Sequence, residues 1–165
     1  MKHAAERIWD RDRAARAAHA WRAAGERVVL ANGVFDLLHV GHARYLAAAR
    51  ALGERLVVAV NGDASAAALK GAGRPVVAAA DRAALVAAMR GVDAVMIFEE
   101  QTLDDLIRAL QPAVHAKGTD YRPDTVPERD TVRALGGVTA IAGDPKAHAT
   151  RDLVARVRER CGRGA

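Results

Sequence analysis

The stretch from residue 28 to residue 46 constrains the fold of this chain more than any other. It begins with the apolar run VVLA, which favours a buried strand, and continues through a turn that contains Gly33. It ends in an alanine- and leucine-rich segment that favours a helix from about Gly41. A buried strand, a glycine-containing turn and a helix form the first half of a βαβ unit. The stretch therefore predicts an α/β fold with a parallel sheet.

The same stretch also predicts where a ligand binds. Open α/β sheets bind ligands at the carboxyl ends of their strands, and a helix N-terminus there offers N–H groups and a positive dipole end to phosphate. His39 and His42 place two imidazoles beside that N-terminus, and Gly41 between them allows close approach of the backbone. The spacing indicates a phosphate site with two side-chain hydrogen-bond donors.

The rest of the chain continues the alternation of strand and helix. After the strand at 28–31, strands are predicted at 55–60, 93–98, 113–116 and 138–142, with helices between them. Asp81 is the predicted N-cap of the helix that precedes the third strand. Residues 1–24, rich in alanine and arginine, are predicted to form one helix. The predicted organisation is an N-terminal helical extension at 1–26, one α/β domain at 27–160 and a tail at 161–165.

Composition and charge exclude several classes of protein. With 165 residues, 51% apolar and 27% charged, the chain has the length and composition of one globular domain. The net charge of +5 is dispersed among acidic residues without an aromatic-interleaved basic stripe, so no nucleic-acid partner is predicted. Cys161 is the only cysteine, which excludes an intramolecular disulfide and a zinc site built from cysteines. No signal peptide or membrane-spanning run is found, so we predict a cytoplasmic protein without a membrane partner.

Residues 32–42, NGVFDLLHVGH, resemble the signature of the HxGH nucleotidyltransferase superfamily. Within it they are most similar to the branch of heptose 1-phosphate adenylyltransferases. The resemblance continues in VNGDAS at 60–65 and KGTDY at 117–121, and covers about residues 28–157. It implies a Rossmann-like three-layer α/β/α fold whose five-stranded parallel sheet has the order 3-2-1-4-5, with the nucleotidyltransferase domain at 27–160.

The resemblance also implies roles for individual residues. The catalytic residues that it implies are His39, His42, Lys70 and Arg82. The implied nucleotide- and phosphate-binding residues are Asn32, Gly33, Val34, Phe35, Gly41, Lys117, Gly118, Asp120, Thr150 and Arg151. The implied acceptor-binding residues are Asp36, Asn61, Asp63, Arg74 and Tyr121, and no protein metal site is implied.

Some of these positions have simpler interpretations. Lys70 could belong to a solvated loop, and Arg82 could be an exposed residue of a first helical turn. His115, inside a predicted strand, is interpreted as a core histidine.

Two segments depart from the pattern of the family. Where the family has a Ser-Thr-Thr run, this chain has Ala149, Thr150 and Arg151, so one hydroxyl is lost and one guanidinium gained. A guanidinium can itself bind phosphate through two parallel hydrogen bonds. In the KGTDY segment, Thr119 replaces the second glycine of the family's KGGDY and loses its conformational freedom.

The resemblance implies attack of a sugar phosphate oxygen on the α-phosphorus of ATP, with release of pyrophosphate. Mg²⁺ is expected to accompany the triphosphate. The resemblance also implies that a separate sugar kinase supplies the sugar 1-phosphate, whereas in many related proteins the kinase is fused to the transferase. A homodimer is expected from the resemblance as well. One alternative is a CTP-dependent enzyme acting on glycerol 3-phosphate or a similar polyol phosphate. The other is a non-catalytic nucleotide-binding module, which only the replacement at Ala149 favours.

Overall fold

Five parallel strands form the centre of the computed structural model, which describes the backbone of residues 2–144 and 150–161 and the side chains of 4–144 and 154–161. The strands are β1 (Val28–Gly33), β2 (Arg55–Asn61), β3 (Ala94–Phe98), β4 (Val114–Gly118) and β5 (Val138–Ala142). Their order in the sheet is β3-β2-β1-β4-β5, and every pairing is parallel. The predicted fold class and strand order are confirmed.

The helices cover both faces of the sheet and connect the strands. They are α1 (Lys2–Ala5), α2 (Arg11–Ala23), α3 (Val40–Arg50), α4 (Asp63–Lys70), α5 (Ala79–Ala87), α6 (Asp104–Leu110), α7 (Arg129–Ala134) and α8 (Thr150–Cys161), with a 3₁₀ turn at Pro123–Thr125. None in the described part of the chain is long and apolar enough to cross a membrane.

Two local predictions about helices are wrong. The predicted helix over 1–24 is replaced by two helices, Lys2–Ala5 and Arg11–Ala23, because the backbone at 6–10 leaves the helical path to contact the sheet. Asp81 does not cap its helix: α5 begins at Ala79, with Ala78 at the N-cap position and no side-chain cap. Asp81 therefore lies inside the first turn, where its charge still suits the positive end of the helix dipole.

β1, β2 and β3 are mainly apolar on both faces, as expected for a parallel sheet covered on two sides, whereas β4 carries His115 and Lys117 on one of its faces. Val29 and Ala31 of β1 belong to one core cluster, which contains side chains of α3 and α5. Val28 and Leu30 belong to the other, which contains side chains of α2, α6 and α7. We call these the α3 face and the α6 face. Because α2 contributes two fully buried alanines to the second cluster, the N-terminal segment is part of the core.

The N-terminal segment also pairs with the edge strand β3. The amide of Trp9 donates to the carbonyl of Val95 at 2.8 Å, and the amide of Val95 donates to the carbonyl of Arg7 at 2.8 Å. Ile8 thereby forms an isolated parallel bridge with Val95. The bridge fixes the break between α1 and α2.

Candidate active site

A crevice opens where the order of the strands reverses. β1 lies between β2 and β4, and its pairing with β4 stops at Ala31 and Ala116, although both strands continue. Separating strands at such a switch point form the usual ligand crevice of open α/β sheets. The N-terminus of α3, the turn after β1 and the loop after β4 all border this edge, as predicted for a site at the carboxyl ends of the strands.

The hydroxyl of Tyr45 spans the base of the crevice. It donates to the carbonyl of Ala116 at 2.8 Å and lies 3.3 Å from the amide of Asn32, which donates to it. The hydroxyl thus forms hydrogen bonds with backbone groups of β1 and β4 at the point where the pairing between the two strands ends. Burial raises the pKa of Tyr45, so it stays a neutral hydroxyl. No pattern in the sequence distinguishes Tyr45 from the other residues of α3.

His39 and His42 form a reciprocal cap at the start of α3. His39 is the N-cap residue, and its Nδ1 accepts the amide of Gly41 at 3.1 Å. The Nδ1 atom of His42 accepts the amide of His39 at 3.3 Å, and the two ring centroids are 4.0 Å apart. Two backbone donors that a phosphate would otherwise meet are therefore used to orient the imidazoles.

The capping bonds determine which ring nitrogen carries the proton. Since Nδ1 of each histidine accepts a backbone amide, a neutral ring has its proton on Nε2, where it can be donated to a ligand. Burial, the charge of His39 and the charge of Lys70 together lower the pKa of His42 to about 4. His42 is therefore a neutral donor at pH 7, and not an imidazolium.

The turn after β1 is held by an aromatic side chain. Phe35 has a φ of +52°, a left-handed conformation that is uncommon for a bulky residue, and its side chain is buried. Its ring packs against His42 at 5.3 Å and Tyr45 at 6.4 Å between centroids. A Cβ at Gly33 would lie only 3.2 Å from this ring, so glycine gives the ring its space. The Phe35 ring thus packs behind the turn, next to His42.

The loop between α4 and α5 is attached to this turn by Asp36. One carboxylate oxygen of Asp36 accepts the amides of Val76 and Val77 at 2.7 and 3.0 Å, and the other forms an ion pair with Arg74. Asp36 and Arg74, both predicted to bind the acceptor, are therefore brought into contact with each other. Lys70 ends α4 immediately before this loop, is exposed, and lies close enough to His42 to lower its pKa.

Arg82 lies inside the molecule. Its side chain has no exposed surface, which excludes the interpretation as an exposed residue of the first turn. The guanidinium donates to the carbonyls of Val34, Asn61 and Val77 and forms an ion pair with Asp63 at 2.7 Å. It therefore joins the end of β2, the turn after β1 and the loop before α5. This geometry favours a positioning role over contact with the phosphates that the family resemblance implies.

The loop after β4 holds a buried ion pair. Nζ of Lys117 lies 3.2 Å from Oε2 of Glu128, and both side chains are about 6% exposed. Burial lowers the pKa of Lys117, whereas Glu128 counteracts that shift. The ammonium also lies 5.0 Å from the centre of the Tyr121 ring, which is partly exposed at the mouth of the crevice. Gly118 and Asp120 lie between Lys117 and Tyr121 in the sequence. A Cβ at Gly118 would meet no atom within 4 Å.

His115 supports Asn32 from within the sheet. Its Nε2 lies 3.2 Å from Oδ1 of Asn32, and burial with the nearby Lys117 lowers the pKa of His115 to about 3. A neutral His115 that donates from Nε2 leaves the Nδ2 donor of Asn32 for a ligand. His115 is thus a core histidine, as interpreted, and also orients a predicted nucleotide-binding residue.

Some predictions lie beyond what the structure describes. The side chains of Thr150 and Arg151 lie outside the described residues, as does all of Ala149, so the altered Ser-Thr-Thr segment stays a sequence prediction. Among the residues that are described, no group of three His, Cys, Asp or Glu side chains is arranged to hold a metal ion. Glu128, like Tyr45, was missed because no local pattern distinguishes it from a surface residue.

Comparisons with known proteins agree with this geometry. The cytidylyltransferase-like family model matches residues 30–158. A bifunctional protein HldE from Halorhodospira halophila is 52% identical over 84% of this chain, and one from Gluconacetobacter diazotrophicus is 48% identical over 92%. The aligned segments cover 29% and 31% of those proteins, so this chain spans about a third of the length of these relatives.

A solved structure has the same fold. The lipopolysaccharide core biosynthesis protein from Thermoplasma volcanium superposes with a TM-score of 0.64 and 29% sequence identity. The match covers 75% of this chain and all of that one. The family resemblance and the nucleotidyltransferase class predicted from the sequence are confirmed by the family match and these relatives.

Proposed function

We propose that this chain, which belongs to the cytidylyltransferase-like family of nucleotidyltransferases, transfers AMP from ATP to a sugar 1-phosphate, giving an ADP-sugar and pyrophosphate. The acceptor that we propose is D-glycero-D-manno-heptose 1-phosphate, because residues 32–42 resemble the heptose 1-phosphate adenylyltransferase branch. Relatives named bifunctional protein HldE and a structural relative named for lipopolysaccharide core biosynthesis are consistent with a sugar acceptor.

One observation carries the proposal: two imidazole rings lie 4.0 Å apart at the N-terminus of α3, each oriented through Nδ1. Neutral rings in this arrangement have their protons on Nε2, the atoms that we propose donate to phosphate oxygens at the edge of the sheet where the strands separate. An in-line displacement at phosphorus needs alignment and stabilisation of charge more than it needs a protein nucleophile. Paired, oriented donors at a helix N-terminus provide both.

The reaction balances without a covalent enzyme intermediate. An oxygen of the acceptor phosphate forms a bond with the α-phosphorus, the bond from that phosphorus to the bridging oxygen breaks, and pyrophosphate leaves with the electron pair. His39 and His42 donate hydrogen bonds as negative charge grows on the phosphate oxygens. Lys70 lies on the loop side of the site, and Lys117 lies on the β4 side, where each adds positive charge. Both stabilise the transition state more than the bound substrates if they contact the leaving group.

Mg²⁺ fits this site as a companion of the triphosphate and not as a resident metal. The carboxylate nearest the turn, Asp36, is already engaged by two amides and Arg74. Triphosphate oxygens and water molecules are the usual ligands of such an ion, which neutralises part of the phosphate charge.

The decisive experiment is pyrophosphate release from ATP, CTP, GTP and UTP against a panel of sugar and polyol phosphates that includes the heptose 1-phosphate and glycerol 3-phosphate. Release with ATP and the heptose phosphate is expected. Release only with CTP and a polyol phosphate would replace the proposed substrates by the cytidylyltransferase alternative, which the name of the family favours. Nucleotide binding without any release would indicate a non-catalytic module.

Replacing His42 by alanine tests the assigned donor. We expect kcat to fall at least about a hundredfold, the usual effect of removing one oriented transition-state donor. His19→Ala is the matched control, because His19 is exposed on α2 and its ring nitrogen contacts only the carbonyl of Ala109 among the described residues. Near-normal turnover of a folded His42→Ala variant would contradict the role of His42.

The remaining parts of the proposal follow from the reaction. The acceptor would be supplied by a kinase that phosphorylates the anomeric hydroxyl of the sugar. Because both reactions use ATP, we propose that both occur in the cytoplasm. We propose that residues 27–160 form the catalytic domain, with 1–26 as an extension packed on it and 161–165 as a tail. A homodimer is proposed as well, and light scattering of the purified chain tests it.

A further inference from the structure

Two buried polar atoms on the α6 face belong to neighbouring strands. His115 of β4 is fully buried, and its Nδ1 atom has no hydrogen-bond partner among the described residues. The Oγ1 atom of Thr139 on β5 is also buried and has no partner in that part of the chain. Buried polar groups of folded proteins nearly always form a hydrogen bond, either with protein or with an ordered water molecule. Both atoms therefore need a partner.

His115 and Thr139 lie side by side in the sheet. They are paired with each other in the parallel register of β4 and β5. Val114 and Ala116 belong to the core cluster of the α3 face, and Ala140 packs against that cluster. Because side chains alternate between the two faces of a sheet, His115 and Thr139 both point to the α6 face. A hydroxyl that can donate thus lies next to a ring nitrogen that can accept.

The tautomer of His115 decides which group Asn32 offers to a ligand. Nε2 of His115 lies 3.2 Å from Oδ1 of Asn32, and a hydrogen bond between these atoms requires the ring proton on Nε2. The Nδ2 group of Asn32 can then donate to a phosphate oxygen. With the proton on Nδ1, Nε2 would accept a hydrogen bond from Nδ2 of a turned carboxamide, and the oxygen of Asn32 would face the ligand. That oxygen would repel a phosphate group.

A donor beside Nδ1 selects the tautomer that suits phosphate. Burial and the nearby charge of Lys117 lower the pKa of His115 to about 3, so the ring carries one proton at pH 7. The charge of Asp104 also acts on the ring, but the carboxylate accepts the hydroxyl of Thr131 and forms no hydrogen bond with Nδ1. The hydroxyl of Thr139 is the donor that the neighbouring strand places beside Nδ1.

We propose that Thr139 is a positioning residue: its hydroxyl donates through one water molecule to Nδ1 of His115, and His115 thereby fixes Asn32 with Nδ2 toward the phosphates of the nucleotide. A bridging water transmits a hydrogen bond nearly as well as direct contact does. The proposal rests on the function proposed above and adds to it a residue of the outer strand β5 that acts across β4 on β1. Thr139 does not itself contact the substrates.

Removing only the hydroxyl of Thr139 tests the proposal. Thr139→Val keeps the branched shape and loses the donor, whereas Thr139→Ser keeps the donor and is the matched control. Thr139→Val should raise the KM for ATP about tenfold, the effect of one lost hydrogen bond, and leave the KM for the acceptor unchanged. Thr139→Ser should change the KM for ATP by less than about twofold. An unchanged KM for ATP in Thr139→Val would overturn the proposal.

A double-mutant cycle shows whether Thr139 acts through Asn32. In a chain that already carries Asn32→Ala, Thr139→Val should have no further effect on the KM for ATP, because the group that it positions is gone. An equal effect of Thr139→Val with and without Asn32 would overturn the proposal, since a general disturbance of β5 does not depend on the carboxamide.

The tautomer of His115 can be observed without turnover. In protein labelled with ¹⁵N at histidine, the two nitrogens of a neutral ring differ in chemical shift because one carries the proton, and His115→Leu identifies the signals of His115. The wild-type ring should carry its proton on Nε2, and Thr139→Val should populate the form with the proton on Nδ1. A proton on Nδ1 in the wild type, or an unchanged tautomer in Thr139→Val, overturns the proposal.

The outcomes separate failure of this proposal from failure of the proposed function. If the wild-type chain releases pyrophosphate and Thr139→Val keeps its KM for ATP, the positioning role fails and the function stands. If the wild-type chain releases no pyrophosphate, the proposed function fails, and calorimetric titration of wild type and Thr139→Val with ATP decides the positioning role. Weaker binding to Thr139→Val together with the changed tautomer supports that role, whereas equal binding, or none to either, overturns it.

Discussion

Replacing Arg82 by lysine distinguishes a catalytic arginine from an arginine that positions the site. The family resemblance implies contact with the phosphates, but the guanidinium is fully buried and donates to three carbonyls and Asp63. Lysine keeps the positive charge, has no planar fork, and cannot reach four acceptors that lie in different directions. We therefore expect Arg82→Lys to destabilise the fold. It should also lower kcat, because the turn after β1 loses its hydrogen bond from Arg82 and shifts.

The size of the effect follows from the bonds that lysine cannot replace. A hydrogen bond to a charged group contributes roughly 1.5–3 kcal/mol, and at least two of the four bonds of Arg82 are lost. The expected loss in the free energy of unfolding is therefore about 3–6 kcal/mol. With a urea dependence of roughly 2 kcal/mol per molar, the midpoint of unfolding should fall by about 2 M.

The measurement is urea unfolding followed by tryptophan fluorescence, together with kcat and KM at a temperature where both proteins are folded. Asp63→Asn is the matched control, because the Asp63 side chain is 53% exposed and water can replace its part of the ion pair. That variant should lose less than about 1 kcal/mol. An unchanged unfolding midpoint for Arg82→Lys, with kcat reduced a hundredfold, would refute the positioning role and restore the catalytic one.

Three further perturbations test the surroundings of the site. Glu128→Gln removes the carboxylate that counteracts the lowered pKa of Lys117, so the alkaline limb of the kcat/KM profile should move to lower pH; an unmoved limb would mean that Lys117 does not act in its charged form. Asp36→Asn should speed hydrogen exchange at the amide of Val77 by at least about tenfold, because the ion pair that anchors the loop is lost; unchanged protection would show that other contacts hold it. His115 has a pKa of about 3 in the fold and 6.5 as the reference, so the unfolded chain binds the proton first and stability falls with pH below 6.5. From pH 7 to 5 this residue should account for about 2 kcal/mol of lost stability, and His115→Leu should reduce that loss when both are unfolded in urea at the two pH values.

The parts of the fold that the sequence predicts well depend on hydrophobic runs. The strands at 55–60 and 138–142 were placed within a residue of β2 and β5, because each has a mostly apolar run between polar or glycine-containing turns. The eleven-residue segment around His39 and His42 predicted where the candidate site lies, because its strand, turn and helix are contiguous in the chain. The structure adds the capping bonds that give the imidazoles their orientation.

The parts that the sequence does not predict depend on contacts between distant residues. Arg82 is three residues into a helix, and only the folded chain brings Val34 and Asn61 to its guanidinium. Glu128 follows a proline in a polar segment, and nothing near it indicates that it is buried against Lys117. Asp81 failed as an N-cap because packing of the apolar side of α5 sets where that helix starts, and its N-cap position, Ala78, lies three residues earlier.

The bridge between Ile8 and Val95 has a consequence for how copies of this protein meet. β3 is an outer strand, and an outer strand with free N–H and C=O groups is a template on which another chain can add a strand. Here the amide and the carbonyl of Val95 are already occupied by Trp9 and Arg7 of the same chain. The N-terminal segment therefore protects this edge strand from pairing with a strand of another chain. A shortened chain that begins after Asp10 would expose the amide and carbonyl of Val95, and we expect it to aggregate more readily.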